Sequence, residues 1–155
     1  IIGAGHVGKA VAHLAKWLGF RVAVSDDRKE FCNAETVPDA DAYYPVTMDQ
    51  LPAQIQIDRR TYLVLTTRGS NVDAAGLAPL LDSPAAYIGI IGSKRRWATT
   101  VKALKEQGVA DELIAKVHSP IGLELNAETP EEIAVSIMAE IMMLRNKGTG
   151  KAMGQ

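Results

Sequence analysis

Three glycines set the strongest limit on what this chain can fold into. Ile1-Ile2 reads as the end of a buried strand, and Gly3, Gly5 and Gly8 follow it with the spacing G-x-G-x-x-G. That spacing is used where a strand turns sharply into a helix and the backbone must come close to a phosphate. Gly3 permits the tight turn, Gly5 lets a phosphate approach, and Gly8 lets helix and strand pack closely. The context supports this. From Val7 to Leu18, apolar residues fall on one helical side at Val7, Val11, Leu14, Ala15 and Leu18, Gly19 closes the helix, and Phe20 to Val24 reads as a strand. Strand, glycine turn, helix, strand is the first half of a parallel nucleotide-binding unit. The predicted class is therefore α/β, a Rossmann-like three-layer sandwich with a mostly parallel sheet.

Further along, strands are expected at Tyr43–Val46, Tyr62–Thr66 and Ala86–Ile91. Helices are expected at about 73–81, 93–107 and 111–117. Thr129-Pro130-Glu131-Glu132 is a helix start, with Thr129 capping, Pro130 at the first helical position and Glu132 completing a capping box. The helix it opens runs to about Leu144 and is apolar on most of its circumference. That predicts burial on more than one side, against the sheet and against a second subunit or domain. The domain is placed at 1–145, with a flexible tail at 146–155. Gly148-Thr149-Gly150-Lys151 lacks the spacing and the following helix of a phosphate loop. A start inside a strand, without Met, predicts a preceding N-terminal domain.

Composition narrows the function classes. The 155 residues carry a formal net charge of −1, which gives no field favouring nucleic acid or an anionic membrane. No apolar run approaches the ~18 residues of a membrane span, and the single cysteine, Cys32, excludes an internal disulfide and fits a cytoplasmic setting. There is no Cys/His cluster with zinc spacing, no nucleophile elbow and no base–nucleophile pair. Binding is better marked than reaction.

Candidate contacts gather where strands end. Asp26 lies roughly twenty positions after Gly5, where an acid accepts hydrogen bonds from ribose hydroxyls. Arg28 stacks on a base, pairs a phosphate, or balances Asp27. His6 lies inside the glycine turn and faces whatever the turn binds. Thr67, in Thr66-Thr67-Arg68-Gly69, sits at the carboxyl edge of its strand. Gly92-Ser93-Lys94-Arg95-Arg96 is a second strand-to-helix turn, with a hydroxyl and three cations at a helix start. It reads either as a phosphate or carboxylate pocket or as a solvated face. His13 is read as surface and His118 as a structural residue in a loop. Cys32 is read as an ordinary thiol, with sulfur relay or soft-metal binding as the alternative.

Several blocks together resemble the C-terminal domain of the XdhC/CoxI family, accessory proteins of xanthine dehydrogenase and related molybdenum hydroxylases. They are Ile2–Gly8, Asp26-Asp27-Arg28, Pro38-Asp39-Ala40-Asp41, Tyr87–Arg96, His118-Ser119-Pro120-Ile121-Gly122 and Glu128–Ala134. The resemblance implies a Rossmann-like domain that binds molybdenum cofactor, as molybdopterin or its dinucleotide form. It implies partners too: a sulfur donor of the cysteine desulfurase type and a target hydroxylase, with a homodimer possible. Its members are maturation factors, not catalysts. By motif, phosphate binding falls on Gly3, Gly5 and Gly8, and further contacts fall on Asp26, Gly92, Ser93 and Arg95. Where the family carries a histidine after the third strand, this chain has Thr67-Arg68-Gly69-Ser70. Two other readings stand beside it. One is an NAD(P)-dependent oxidoreductase domain, which needs an acid/base group that only His6 and His118 offer. The other is an interaction scaffold built on the last helix.

Overall fold

A computed structural model describes residues 1–154. Its strands are β1 (Ala23–Ser25), β2 (Ala42–Tyr44), β3 (Tyr62–Leu65), β4 (Tyr87–Ile90) and β5 (Val117–His118). The helices are α1 (His6–Trp17), α2 (Leu51–Gln54), α3 (Ser70–Leu81), α4 (Lys94–Glu106), α5 (Asp111–Ile114) and α6 (Pro130–Arg145). Ile2 bridges Ser25 on one side and Leu65 on the other, both parallel, so the β1–β2 pair and the β3–β4–β5 trio join through it into one sheet. Counting the Ile2 stub as the first strand, the order is 3-2-1-4-5-6, all parallel, and the chain changes direction across the sheet beside Ile2.

The period-2 alternation of the strands creates two cores. Leu63, Leu65, Ile88 and Ile90 face one side and pack with Leu77, Leu80 and Leu81 of α3, Leu104 of α4 and Ile114 of α5. Val24, Val64 and Tyr87 face the other side and pack with Val11, Ala12 and Ala15 of α1 and Ile137, Met138 and Ile141 of α6. Three layers result. Two helix ends follow their sequence signals. Gly19 takes a left-handed φ of +90° after α1, and Thr129 caps α6 by accepting the Glu132 amide at 3.1 Å, with the reciprocal Glu132 bonds in place.

Two expectations need correcting. The helix expected over 111–117 stops at Ile114, and Val117–His118 instead pairs with Ile88–Gly89 as an edge strand. Two residues satisfy the open backbone of β4, a tertiary demand that local periodicity cannot show. Helix α3 begins at Ser70, three residues earlier than expected, because its polar first turn carries no apolar signal. Helix α6 buries Ala134, Ile137, Met138 and Ile141 against α1 and the sheet, and leaves Val135 and Leu144 exposed. Among the described residues, no helix is long and apolar enough to cross a membrane.

Candidate functional site

The carboxyl ends of the strands gather the glycine turn and most of the candidate residues. Gly3 has φ +112°, and a Cβ there would run into the Thr66 carbonyl. A Cβ on Gly8 would overlap the Gly3 carbonyl oxygen and approach Thr66 Oγ1 to 2.9 Å. Gly3 and Gly8 are therefore required by the packing of the turn itself, and Thr66 Oγ1 ties it down by donating to the Gly3 carbonyl at 2.7 Å. Gly5 differs: its φ of −78° suits any residue, and a Cβ there would meet nothing within 4 Å. Among the described residues no side chain caps α1, and the first amides of a helix have no partner within it. Gly5 therefore keeps open the approach to a set of outward amides at the positive end of a helix dipole. His6 is exposed on the same first turn.

Beside this turn lies a cleft of about 320 Å³. Its floor and rim come from Gly3, from Asp26, Asp27 and Arg28 after β1, from Val46 to Asp49 after β2, and from Thr67 and Arg68 after β3. Val46, Met48, Val72 and Ala75 give it an apolar wall. The wall is tight because Gly76 of α3 sits directly against Met48, leaving 2.5 Å between the Met48 Cβ and a Cβ placed on the glycine.

Asp26 lies at this edge, but its acceptor capacity is spent. Oδ2 accepts the Ala4 amide at 2.9 Å and Arg28 Nη2 at 2.8 Å, while Oδ1 accepts the Arg28 amide and Nε, both at 2.9 Å. Four bonds fill a carboxylate. Burial alone would raise its pKa, but the Arg28 side chain and the two amides outweigh that and hold the group well below the usual carboxylate range. The ribose-reading role expected of Asp26 thus gives way to a latch between the β1 end and the glycine turn. Arg28 is committed to that latch, its guanidinium lying 4.3 Å over the Phe31 ring. Asp27 is not balanced by Arg28, which pairs with Asp26. Instead it pairs with Arg68 across the cleft mouth, Nη2 to Oδ1 at 2.8 Å, with both side chains 44% exposed.

Thr67 joins a buried cluster. Its hydroxyl donates to Asp73 Oδ1, and Arg96 Nη2 reaches Thr67 Oγ1 at 2.8 Å, the Thr67 carbonyl at 3.1 Å and Asp73 Oδ2 at 2.9 Å. Asp73 is fully buried. Gly92, at φ +126°, leaves room for the Arg96 stem, whose Cδ would lie 2.7 Å from an added Cβ. Ser93 caps α4 by accepting the Arg96 amide at 3.1 Å. Among the described residues, Lys94 and Arg95 stand exposed at the same helix start without an ion-pair partner. The structural cation of this turn is therefore Arg96 and not Arg95. No sequence spacing marks Arg96 or Asp73; the one signal available is an acid in the first turn of α3.

Other candidates lie elsewhere. His118 stacks on the Tyr87 ring at 4.8 Å, near the Tyr87 hydroxyl that donates to Glu140 at 2.6 Å, and does not line the cleft. His13 pairs with Asp39 at the surface. Cys32 is buried, donates to the Val24 carbonyl, and has its pKa raised by burial. Among the described residues no cluster of metal-ligating side chains occurs.

Residues 1–141 match the family described as the XdhC Rossmann domain. The chain belongs to that family. It is 36% identical over 154 residues to the uncharacterized protein YqeB of Escherichia coli K12, covering 99% of this chain and 28% of YqeB. It is 27% identical over 93 residues to the molybdenum cofactor insertion chaperone PaoD of the same organism, covering 60% of this chain and 29% of PaoD. A solved structure named as a xanthine dehydrogenase (BH1974) from Bacillus halodurans superposes with a TM-score of 0.81 at 31% identity, over 94% of this chain and 43% of that one. The chain spans less than half the length of each of these proteins.

Proposed function

We propose that this domain holds molybdenum cofactor by its phosphate end, within a maturation factor that delivers the cofactor to a xanthine dehydrogenase-type molybdenum hydroxylase. The carrying observation is the glycine turn. Gly3 and Gly8 are locked by their own packing, and Gly5 alone leaves open space in front of helix amides, next to a cleft of about 320 Å³. The names of PaoD and of the Bacillus halodurans protein support the choice of cofactor and target.

The residues fit the phosphate-bearing part of such a group. The α1 amides would receive the phosphate, Lys94 and Arg95 would add positive potential along the same edge, and the wall of Val46, Met48 and Val72 would cover a ring. When bound, the cofactor supplies the molybdenum centre on which the target enzyme's redox chemistry depends. The chain's own part is to bind, orient and release. Burial of Cys32 and its raised pKa leave it a poor thiolate, so sulfur would come from a partner of the cysteine desulfurase type.

Gly5→Val provides the test. The substitution fits the backbone and points into open space, so the expected result is a cooperatively folded protein that no longer binds molybdenum cofactor in anaerobic calorimetry. Unchanged binding by the variant refutes the phosphate-turn assignment. Tight binding of NAD⁺ in place of the cofactor would favour the oxidoreductase reading.

A further inference from the structure

We infer that the outward face of α6 pairs two copies of this chain about a two-fold axis, with the two helices antiparallel and crossing near Ala139. This pairing is independent of what the cleft binds.

Three observations carry it. First, the middle of α6 reverses the pattern of a surface helix, which keeps apolar residues in and polar ones out. Its two polar residues there turn inward. Ser136 is buried and donates to the Leu123 carbonyl, and buried Glu140 accepts the Tyr87 hydroxyl and the Gly122 amide. Val135, Ala139 and Met142, at i, i+4 and i+7, instead form one stripe turned away from α1 and the sheet, with Val135 49% exposed. Between Glu132 and Arg145 the only charged residue is the buried Glu140, so the stripe carries no charge of its own. Valine and methionine on an outward stripe gain free energy only when another surface covers them.

Second, the two ends of the stripe carry opposite charge. Glu128 and Glu131 are exposed at its start, and Arg145 and Lys147 are exposed at its end. Among the described residues neither Glu131 nor Lys147 has an ion-pair partner. These two residues lie equally far before and after Ala139 in the sequence. Antiparallel helices crossing at Ala139 therefore set Glu131 of each copy opposite Lys147 of the other, and they oppose the two helix dipoles. A face complementary to itself is what a two-fold interface requires, and it selects a second copy over an unrelated partner.

Third, the residue at the crossing is the smallest on the stripe, which lets the two helix backbones come close. The direction of α6 gives the pairing a consequence. Its Arg145 guanidinium lies 4.8 Å from the Phe20 ring, just past the end of α1, so α6 runs the same way as α1, away from the carboxyl edge. Antiparallel pairing then points the two glycine turns in opposite directions.

A helix of 16 residues is about 24 Å long, and one such strip falls short of the ~1,000 Å² of a stable complex. Sedimentation equilibrium of the chain should therefore show a mass rising from one copy toward two between about 10 µM and about 1 mM. Val135→Lys puts a good helix former at an exposed position. It should weaken pairing about tenfold or more and leave thermal unfolding of the dilute protein unchanged. Glu131→Lys and Lys147→Glu should each weaken pairing several-fold, and the two together should restore it. A mass of one copy at about 1 mM refutes the pairing and leaves the face to another domain or protein. A dimer untouched by Val135→Lys pairs through a different surface and refutes it equally. Failure of the double charge variant to recover what the single variants lose refutes the antiparallel arrangement.

Discussion

Replacing Arg96 by methionine would keep much of the stem that packs beside Gly92 and remove the guanidinium that holds Asp73. Asp73 is fully buried, and the Thr67 hydroxyl would be its only remaining partner among those the structure shows. Stripping one member from a buried pair costs about 3–5 kcal/mol. Arg96 keeps 20% of its side chain in solvent and Thr67 retains one bond, so the lower end applies, about 3 kcal/mol. At ~2–4 °C per kcal/mol for a chain of this size, Tm should fall by roughly 6–12 °C.

A double variant, Asp73→Leu with Arg96→Met, removes both charges and leaves the Thr67 hydroxyl and carbonyl short of partners. It should be more stable than Arg96→Met alone, with a coupling of about 2 kcal/mol in a double-mutant cycle read by urea unfolding. Thr67 also lines the cleft, so pyrophosphate affinity of the folded Arg96→Met variant should weaken a few-fold. A cost below about 0.5 kcal/mol for Arg96→Met, the range of an ordinary surface substitution, would show that the cluster is not the tie argued here. Additive costs in the double variant would show the same.

Asp26→Asn should lose about 2 kcal/mol near neutral pH, because one buried oxygen no longer matches its donors. The native pKa of Asp26 is depressed, so its contribution is complete above the unfolded value near ~4 and fades as pH falls below it. The stability gap between Asp26→Asn and the unmodified protein, followed by urea unfolding, should therefore narrow below about pH 4; a gap unchanged down to pH 3 would contradict the latch. Gly8→Ala pits two effects against each other. Helix propensity alone would stabilise by about 1 kcal/mol, whereas overlap of the new Cβ with the Gly3 carbonyl should cost more than that, about 1–3 kcal/mol net. A rise in Tm would refute the close-packed turn.

What could be read in the sequence was what the backbone decides locally. The spacing of Gly3, Gly5 and Gly8 separated two packing glycines from one left open, and the structure places all three accordingly. Thr129 and Glu132 announced a capping box that the structure contains. Apolar runs located β3 and β4 to within a residue. Hidden were the features decided by neighbours far along the chain. Asp26 and Asp27 are adjacent acids with opposite fates, because one meets the Ala4 amide and the other meets Arg68. Arg95 and Arg96 are adjacent cations, and only the helical phase of α4, together with a buried acid on α3, distinguishes them. The cleft wall at Val46 to Asp49 comes from a segment broken by prolines, where no period exists to be read.

The distribution of charge along the carboxyl edge bears on what a carrier must do. Arg28, Arg68 and Arg96 are each already paired with an acid of the protein, Asp26, Asp27 and Asp73. A phosphate arriving there gains little from these guanidinium groups without giving up an internal bond, so its attraction must come chiefly from the α1 amides and from exposed Lys94 and Arg95. Amides and solvent-screened cations hold an anion less firmly than an unpaired buried arginine would. They also let it go without leaving a buried charge uncompensated, since the three guanidinium groups are already paired within the protein. An enzyme that turns over a diffusible dinucleotide and a factor that passes its cargo to another protein both need reversible binding. Three aspartates line this cleft: Asp26, whose oxygens are taken by Arg28 and the Ala4 amide, Asp27, which pairs with Arg68, and Asp49. An incoming anion at this edge therefore meets three guanidinium groups whose charge is already matched within the protein.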